Sequence, residues 1–130
     1  WQDSGRGQEK WNWLVIDVAC AIFEKDGLVL AAQRSETMSL PLKWEFPGGK
    51  IHDGESDLEA INRELQEEMD IEVTEVIQKL WQAQDPGSKF QIEFHEVKIS
   101  GDPKPLEHED IQWIAKKDLN SIQFAHILHC

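Results

Sequence analysis

Apolar positions along the chain follow two spacings, and each spacing predicts an element. "WLVIDVACAIF" (13–23) and "LVLAAQR" (28–34) are apolar, β-branched runs separated by "EKDG", which predicts two strands joined by a turn. "SETMSLPLK" then reads as a loop and "WEF" as a short extended piece. "PGGK" reads as a tight turn, because glycine reaches positive φ without a Cβ clash. Between Glu55 and Met69 the period changes: Leu58, Ile61, Leu65 and Met69 recur three and four apart, as one buried helical stripe does. Asp57 and Glu59 near the start of that helix suit the positive end of its dipole. "IEVTEVIQKLWQAQ" and "KFQIEFHEVKI" predict two further strands around a "DPGS" turn. "SGDPKPLEHED" predicts a polar loop, "IQWIA" a last strand and "KKDLNSIQF" a helical turn. Strands on both sides of one long helix, with hairpins dominating, predict an α+β fold in which helices cover a mixed, largely antiparallel sheet. The alternation is too irregular for a doubly wound parallel sheet.

Composition narrows the partners. The 130 residues suit a single domain, 13–130, behind a polar extension, 1–12. No apolar run approaches the roughly 20 residues of a membrane span, and "WQDSGRGQEK" lacks the apolar centre of a secretory signal, so a cytoplasmic setting is the expectation. Of the two cysteines, Cys20 lies in the apolar "VACAIF" and Cys130 is the last residue, a pattern that predicts no disulfide. A formal charge of −12 argues against a nucleic-acid duplex as partner. An anionic ligand would need a cation beyond the side chains; monomer and homodimer are both compatible with this composition.

The densest charge is "RELQEEMDI", 63–71. At about 100° per residue, Glu64, Glu67 and Glu68 share an arc of roughly 100° beside the apolar stripe. Like charges so close destabilise a helix and raise one another's pKa unless a cation compensates. Two readings stand from these nine residues: a solvated acidic face, or a site for a hard divalent ion such as Mg²⁺, which takes oxygen ligands beside substrate phosphates. Just ahead of the helix, Gly48 and Gly49 could offer an exposed carbonyl and let backbone approach a phosphate.

Read together, "GGKIHDGESDLEAINRELQEEMDI" resembles the Nudix box at Gly49, Glu55, Arg63, Glu64, Leu65, Glu67, Glu68 and Ile71, so the box spans 49–71. The mismatch is Asp70, where the family carries a glycine; aspartate adopts the left-handed cap at a cost of ~1 kcal/mol. "WEFPGGKI" and "LEHEDIQW" are similar to the MutT-type branch, which hydrolyses nucleoside triphosphates. The resemblance implies an α/β/α sandwich with one long catalytic helix. It implies Mg²⁺, or Mn²⁺, held by Glu64, Glu67 and Glu68, with the Gly48 carbonyl and Glu107 as further ligands. Arg63 and Glu55 would pair and brace the loop against the helix.

By the same resemblance Arg34 and Lys50 would contact phosphates, though each could be a solvated surface charge. Trp44 and Phe46 would divide between base and core, and Phe94 would line the base pocket or sit in the core. Glu64 or Glu107 would take the proton of an attacking water, giving nucleoside monophosphate and pyrophosphate, from canonical or oxidised nucleotides. Hydrolysis of another nucleoside diphosphate linked to a second group, or nucleotide binding without cleavage, are the alternatives. His52, His95, His108, His126 and His129 show no zinc-ligand spacing, and His108 reads as orienting its loop. Where MutT-type proteins carry Asn or Asp after "FA", this chain has "HILHC", with Leu128 near that place.

Overall fold

The computed structural model of the chain describes residues 15–84, 89–121 and 124. Its strands are β1 (Ile16–Ile22), β2 (Glu24–Lys25), β3 (Leu28–Gln33), β4 (Trp44–Glu45), β5 (Gly48–Lys50), β6 (Glu72–Gln84), β7 (Phe90–Ser100) and β8 (Asp110–Ala115). One α-helix, α1 (Asp57–Met69), and a 3₁₀ helix, Lys116–Ser121, complete the described residues. This is the mixed α+β fold with one main helix that the pattern predicts. Among the described residues no helix is long and apolar enough to cross a membrane.

The strands form two four-stranded sheets rather than one. The first runs β5-β1-β7-β6, with β1 and β7 parallel and the other pairs antiparallel. In the second, β3 pairs antiparallel with β2, β4 and β8. The predicted hairpin is therefore half right. Both strands and the turn exist, but β1 and β3 lie in different sheets; Asp26 and Gly27, at φ 54° and 81°, close a short hairpin of β2 on β3. Tertiary burial explains what the local pattern could not. Ala19, Ala21 and Phe23 face α1 together with Leu30 and Ala32, while Cys20 and Val29 face a second core with Phe46, Ile92 and Phe94. Strands covered on both faces read as continuous apolar runs, which hides their pairing partners.

A second difference concerns "PGGK". Gly48 and Gly49 are not in a turn but in β5, paired with Cys20 and Ala19 of β1. Glycine is needed for close approach instead: Gly48 sits at φ 154°, and a Cβ there would collide with the Ala19 carbonyl oxygen and lie 2.7 Å from the Cys20 Cα.

Helix α1 starts two residues later than the apolar spacing suggests. Ser56 accepts from the Glu59 amide (3.1 Å) and the Glu59 carboxylate accepts from the Ser56 amide (2.8 Å), a reciprocal cap that fixes the first turn. At the other end Asp70 adopts the left-handed conformation expected of it, φ 57°, with its amide donating to the last-turn carbonyls. Ile61, Leu65 and Met69 are fully buried with Ala60, but Leu58, placed in the same stripe by its spacing, is 42% exposed. It lies in the first turn, beyond the edge of the sheet-covered stretch. The loop after β7 folds back on the helix end, where the Leu106 and Lys104 amides donate to the carbonyls of Glu68 (3.1 Å) and Met69 (3.0 Å). That closure carries Glu107 to the helix's acidic face.

Along β6 the register against β7 slips three times, leaving Thr74, Ile77 and Leu80 without a partner across the ladder. Ser56→Ala removes half of the reciprocal cap and should lower stability by about 1 kcal/mol, read as a lower urea midpoint at unchanged slope; an unchanged midpoint would show that packing alone sets the helix start.

Candidate active site

Arg63 organises the helix face. Its Nε donates to Glu55 Oε2 (2.7 Å) and its Nη2 to Glu55 Oε1 (3.0 Å), the two-pronged pairing that planar guanidinium and carboxylate favour. Nη2 also reaches the Lys50 carbonyl (2.9 Å), and Nη1 reaches Glu64 Oε2 (2.9 Å). Glu55 in turn accepts from the His52 amide (2.8 Å). The Arg63 hydrogen bonds hold the Glu55 carboxyl at about 2, against an ordinary 4.5. Arg63 and Glu55 are thus braces, as the resemblance implies. Both are positioning groups: they fix loop 50–56 and the Glu64 side chain.

The three glutamates have different surroundings. Glu67 is exposed, 3.5 Å from Arg63, and Glu64 is half-buried under the same guanidinium. Glu68 is 7% exposed, and its Oε1 has no hydrogen-bond partner. Burial first, then a hydrogen bond and charge from Glu64 with further charge from Glu45 and Glu107, push its carboxyl up to about 10. A buried, unpartnered carboxyl oxygen among other carboxylates is oxygen chemistry of the kind a hard cation takes, so the donor types suit a divalent ion. Gly49 belongs to this packing: a Cβ there would collide with the Glu64 carboxylate, 2.7 Å from its Oε1 at the longest of the three contacts.

The helix faces a cavity of about 670 Å³ at the junction of the two sheets. Its acidic wall holds Glu68 and Glu107 beside Gly48, Gly49 and the exposed Lys50; its apolar wall holds Val18, Phe46, Phe90 and Ile92, with Met38 and Leu40 from loop 35–43. Val18 and Ile92 are register partners across β1 and β7, so one row of the sheet supplies that wall. Cys20 also lines it; burial and then nearby carboxylates raise its thiol well above the ordinary 9.0, so it stays a neutral wall residue.

Of the anticipated residues, Arg34, Phe46, Gly48, Lys50, Glu68 and Glu107 line this cavity, whereas Glu55, Arg63, Glu64, Glu67 and Phe94 do not. Phe94 takes the core reading: 2% exposed, it stacks on Trp81 (4.6 Å) and meets Phe46 edge-on (6.1 Å) behind the cavity wall. Phe46 rather than Trp44 lines the cavity. Arg34 reaches the cavity wall, yet Nε, Nη1 and Nη2 each bond protein groups: the Ser39 carbonyl (2.6 Å), Glu45 Oε1 (2.6 Å) and Ser39 Oγ (3.0 Å). These three bonds make its guanidinium a brace for loop 35–43 and use three of its five N–H donors.

Glu45 and His108 are the residues that sequence reasoning undervalued. The Glu45 Oε2 accepts from His108 Nε2 (2.8 Å), as the ring tautomer that donates there requires. Burial alone would raise the Glu45 carboxyl, but the bonds and charges of His108 and Arg34 hold it below its ordinary value. The alternation in "WEF" puts Glu45 on the face opposite Trp44 and Phe46 and gives no sign of its burial. Elsewhere Asp57, Glu93 and buried His95 bring ligand atoms within 4.8 Å of one another, with His95 Nε2 3.1 Å from Glu93 and 3.4 Å from Asp57. The box glutamates form no such group among the described residues. His126, His129, Leu128 and Cys130 lie outside the described residues.

Comparison with known proteins agrees with this geometry. The NUDIX domain family model matches residues 13–128. A CTP pyrophosphohydrolase of Escherichia coli is 47% identical over 60 residues, 46% of this chain and 44% of that protein, so this chain aligns with under half of its length. An 8-oxo-dGTP diphosphatase of Haemophilus influenzae is 30% identical over 122 residues, 88% of this chain and 90% of its own. Among solved structures, the E. coli ORF135 protein superposes at TM-score 0.72, with 33% identity over 85% of this chain and 81% of that one. A MutT structure from a study of Aliivibrio salmonicida and Vibrio cholerae reaches 0.71, with 29% identity over 84% and 86%. With the brace of Arg63 and Glu55, the acidic wall and the family match in agreement, the chain belongs to the Nudix hydrolase family, in its MutT-like branch.

Proposed function

We propose that the chain hydrolyses a nucleoside triphosphate to nucleoside monophosphate and pyrophosphate, with Mg²⁺ as cofactor and Mn²⁺ as substitute. The observation that carries this reading is the pairing, in one cavity, of an acidic wall containing a buried unpartnered Glu68 oxygen with an apolar wall wide enough for a base. Relatives named for CTP and for 8-oxo-dGTP support a small nucleotide substrate. Oxidised nucleotides are included among the candidates, which would make the role one of cleaning the nucleotide pool.

Glu64, Glu67 and Glu68, with Glu107 and the Gly48 carbonyl, are the groups that would hold the ion, which would neutralise phosphate charge and lower the pKa of an attacking water. The chain's own residues do the rest. Lys50, exposed on the rim beside the glycines, offers a cation to the phosphates. Val18, Phe46, Phe90 and Ile92 exclude water from the base and fix the nucleotide's direction in the cavity. Glu107 is the better proton acceptor for water, because Glu64 Oε2 is already held by Arg63.

Turnover of canonical and oxidised triphosphates, nucleotide sugars and dinucleoside polyphosphates, with pyrophosphate detection, tests the proposal. Mg²⁺-dependent pyrophosphate from triphosphates is expected; exclusive cleavage of the sugar or dinucleoside compounds would refute it. Glu67→Gln should lower kcat roughly 100-fold or more while the urea midpoint barely moves, since the side chain is exposed. Arg63→Lys should lower kcat with little change in substrate KM, because lysine cannot grip Glu55 and Glu64 together.

The pH dependence has a definite sign. Glu68 titrates at about 10 in the cation-free fold against an ordinary 4.5, so the unfolded chain ionises first and stability is lost as pH rises between those values. A divalent ion that takes the proton's place reverses this. The gain in Tm from millimolar Mg²⁺ should therefore be larger at about pH 8.5 than at about pH 6, and a gain independent of pH would remove Glu68 from the ligand set.

A further inference from the structure

Two loops form the rim of the cavity, each tied in part by backbone bonds: the Lys104 and Leu106 amides donate to the Met69 and Glu68 carbonyls, and the Leu42 amide to the Arg34 carbonyl (3.0 Å). One is loop 35–43, which brings Met38, Ser39 and Leu40 to the wall; the other is loop 101–109, which brings Glu107. Leu40 and Leu42 sit at φ 49° and 62°, a conformation that bulky L-residues rarely adopt, so the first loop is held in this shape by its surroundings. The Gln33 side chain holds its end at the Leu42 carbonyl (3.1 Å), and the Arg34 side chain holds its middle through the Ser39 carbonyl and hydroxyl. What holds Arg34 is Glu45, through a 2.6 Å bond to Oε1.

The other carboxylate oxygen serves the second loop. Glu45 Oε2 meets His108 Nε2 at 2.8 Å, across 63 positions of chain. The His108 side chain is 2% exposed, and its Nδ1 has no partner, so Glu45 is the ring's hydrogen-bonded anchor. Glu107 is the adjacent residue. A single half-buried side chain, 15% exposed, thus reaches both loops from the two-residue strand β4.

We infer that Glu45 is a positioning residue that acts on both walls of the cavity at once: through His108 it adds a side-chain tether beside Glu107 to the loop that the Lys104 and Leu106 amides bring to the helix, and through Arg34 it braces the Ser39–Leu40 wall. This rests on the hydrolytic reading given above. Glutamine cannot replace it, because its amide nitrogen would face one of two donors. The two arms separate in kinetics. The His108 arm acts on the acidic wall, and therefore on cation binding and kcat. The Arg34 arm acts on the wall that contacts the nucleotide's apolar part, and therefore on KM.

The experiment compares wild-type protein with His108→Asn, Arg34→Lys and Glu45→Gln. Mn²⁺ binding is measured by calorimetry without nucleotide, kcat and KM with a triphosphate substrate, and folding by circular dichroism and urea unfolding. His108→Asn should weaken Mn²⁺ binding about tenfold or more and lower kcat, with KM held. Arg34→Lys should raise KM about tenfold with Mn²⁺ binding held. Glu45→Gln should show both losses, and combining it with either single change should add nothing to that arm. Glu45→Gln that matches wild type in both parameters, or losses that simply follow the folded fraction, would overturn the inference while leaving the hydrolase reading intact. A wild-type protein that binds no Mn²⁺ and releases no pyrophosphate would instead overturn the hydrolase reading, and this inference with it.

Discussion

The four bonds of the Arg63 guanidinium are the constraint on which the site depends. They join three pieces of chain that the fold brings together: the end of β5 through the Lys50 carbonyl, the helix-entry loop through Glu55, and the helix itself through Glu64. A loop of six residues between a three-residue strand and a helix has many shapes of similar energy. Planar, two-pronged pairing selects one of them, and arginine carries its charge at every relevant pH. The direction of α1's acidic face relative to β5 follows from that selection, and so does the close seating of Gly49 under the Glu64 carboxylate.

The placement of charge follows the same economy of elements. The fold gathers Glu45, Glu64 and Glu107 around Glu68, although the protein is already strongly acidic. Arg63 is committed to Glu55 and Glu64, and Arg34 and His108 both bond Glu45, while Lys50 stays exposed on the rim. Glu68 is left with neighbours of its own sign and a proton. Compensation within the protein is thus arranged around the acidic centre rather than at it.

Much of this was legible in the sequence where the relevant contacts are local. The helix was legible in its apolar spacing, and its left-handed cap at Asp70 and the pairing of Glu55 with Arg63 in the resemblance to the Nudix box; these contacts span eight or fewer positions. The strand positions were legible too, but their partners were not. Runs such as "VACAIF" and "LVLAA" are apolar on both faces, so nothing in them distinguishes a neighbour in sequence from one across the molecule. Gly48 and Gly49 looked like a turn because turns and close backbone approach demand the same residue. Glu45 and His108 sit 63 positions apart, and Asp57 lies far along the chain from Glu93 and His95. Such pairs are set by topology, which a single sequence displays only faintly.

The slipped register of β6 has a consequence for the protein's life at high concentration. This strand is the outer border of its sheet and, at 13 residues, the joint longest element described. A straight border of that length, carrying the exposed Ile77 and Leu80, would offer a regular row of amides and carbonyls to any other extended chain. The three unmatched residues interrupt that row and twist it, so a docking strand would lose alignment every few residues. Irregularity along this border thereby disfavours regular pairing with a second extended chain.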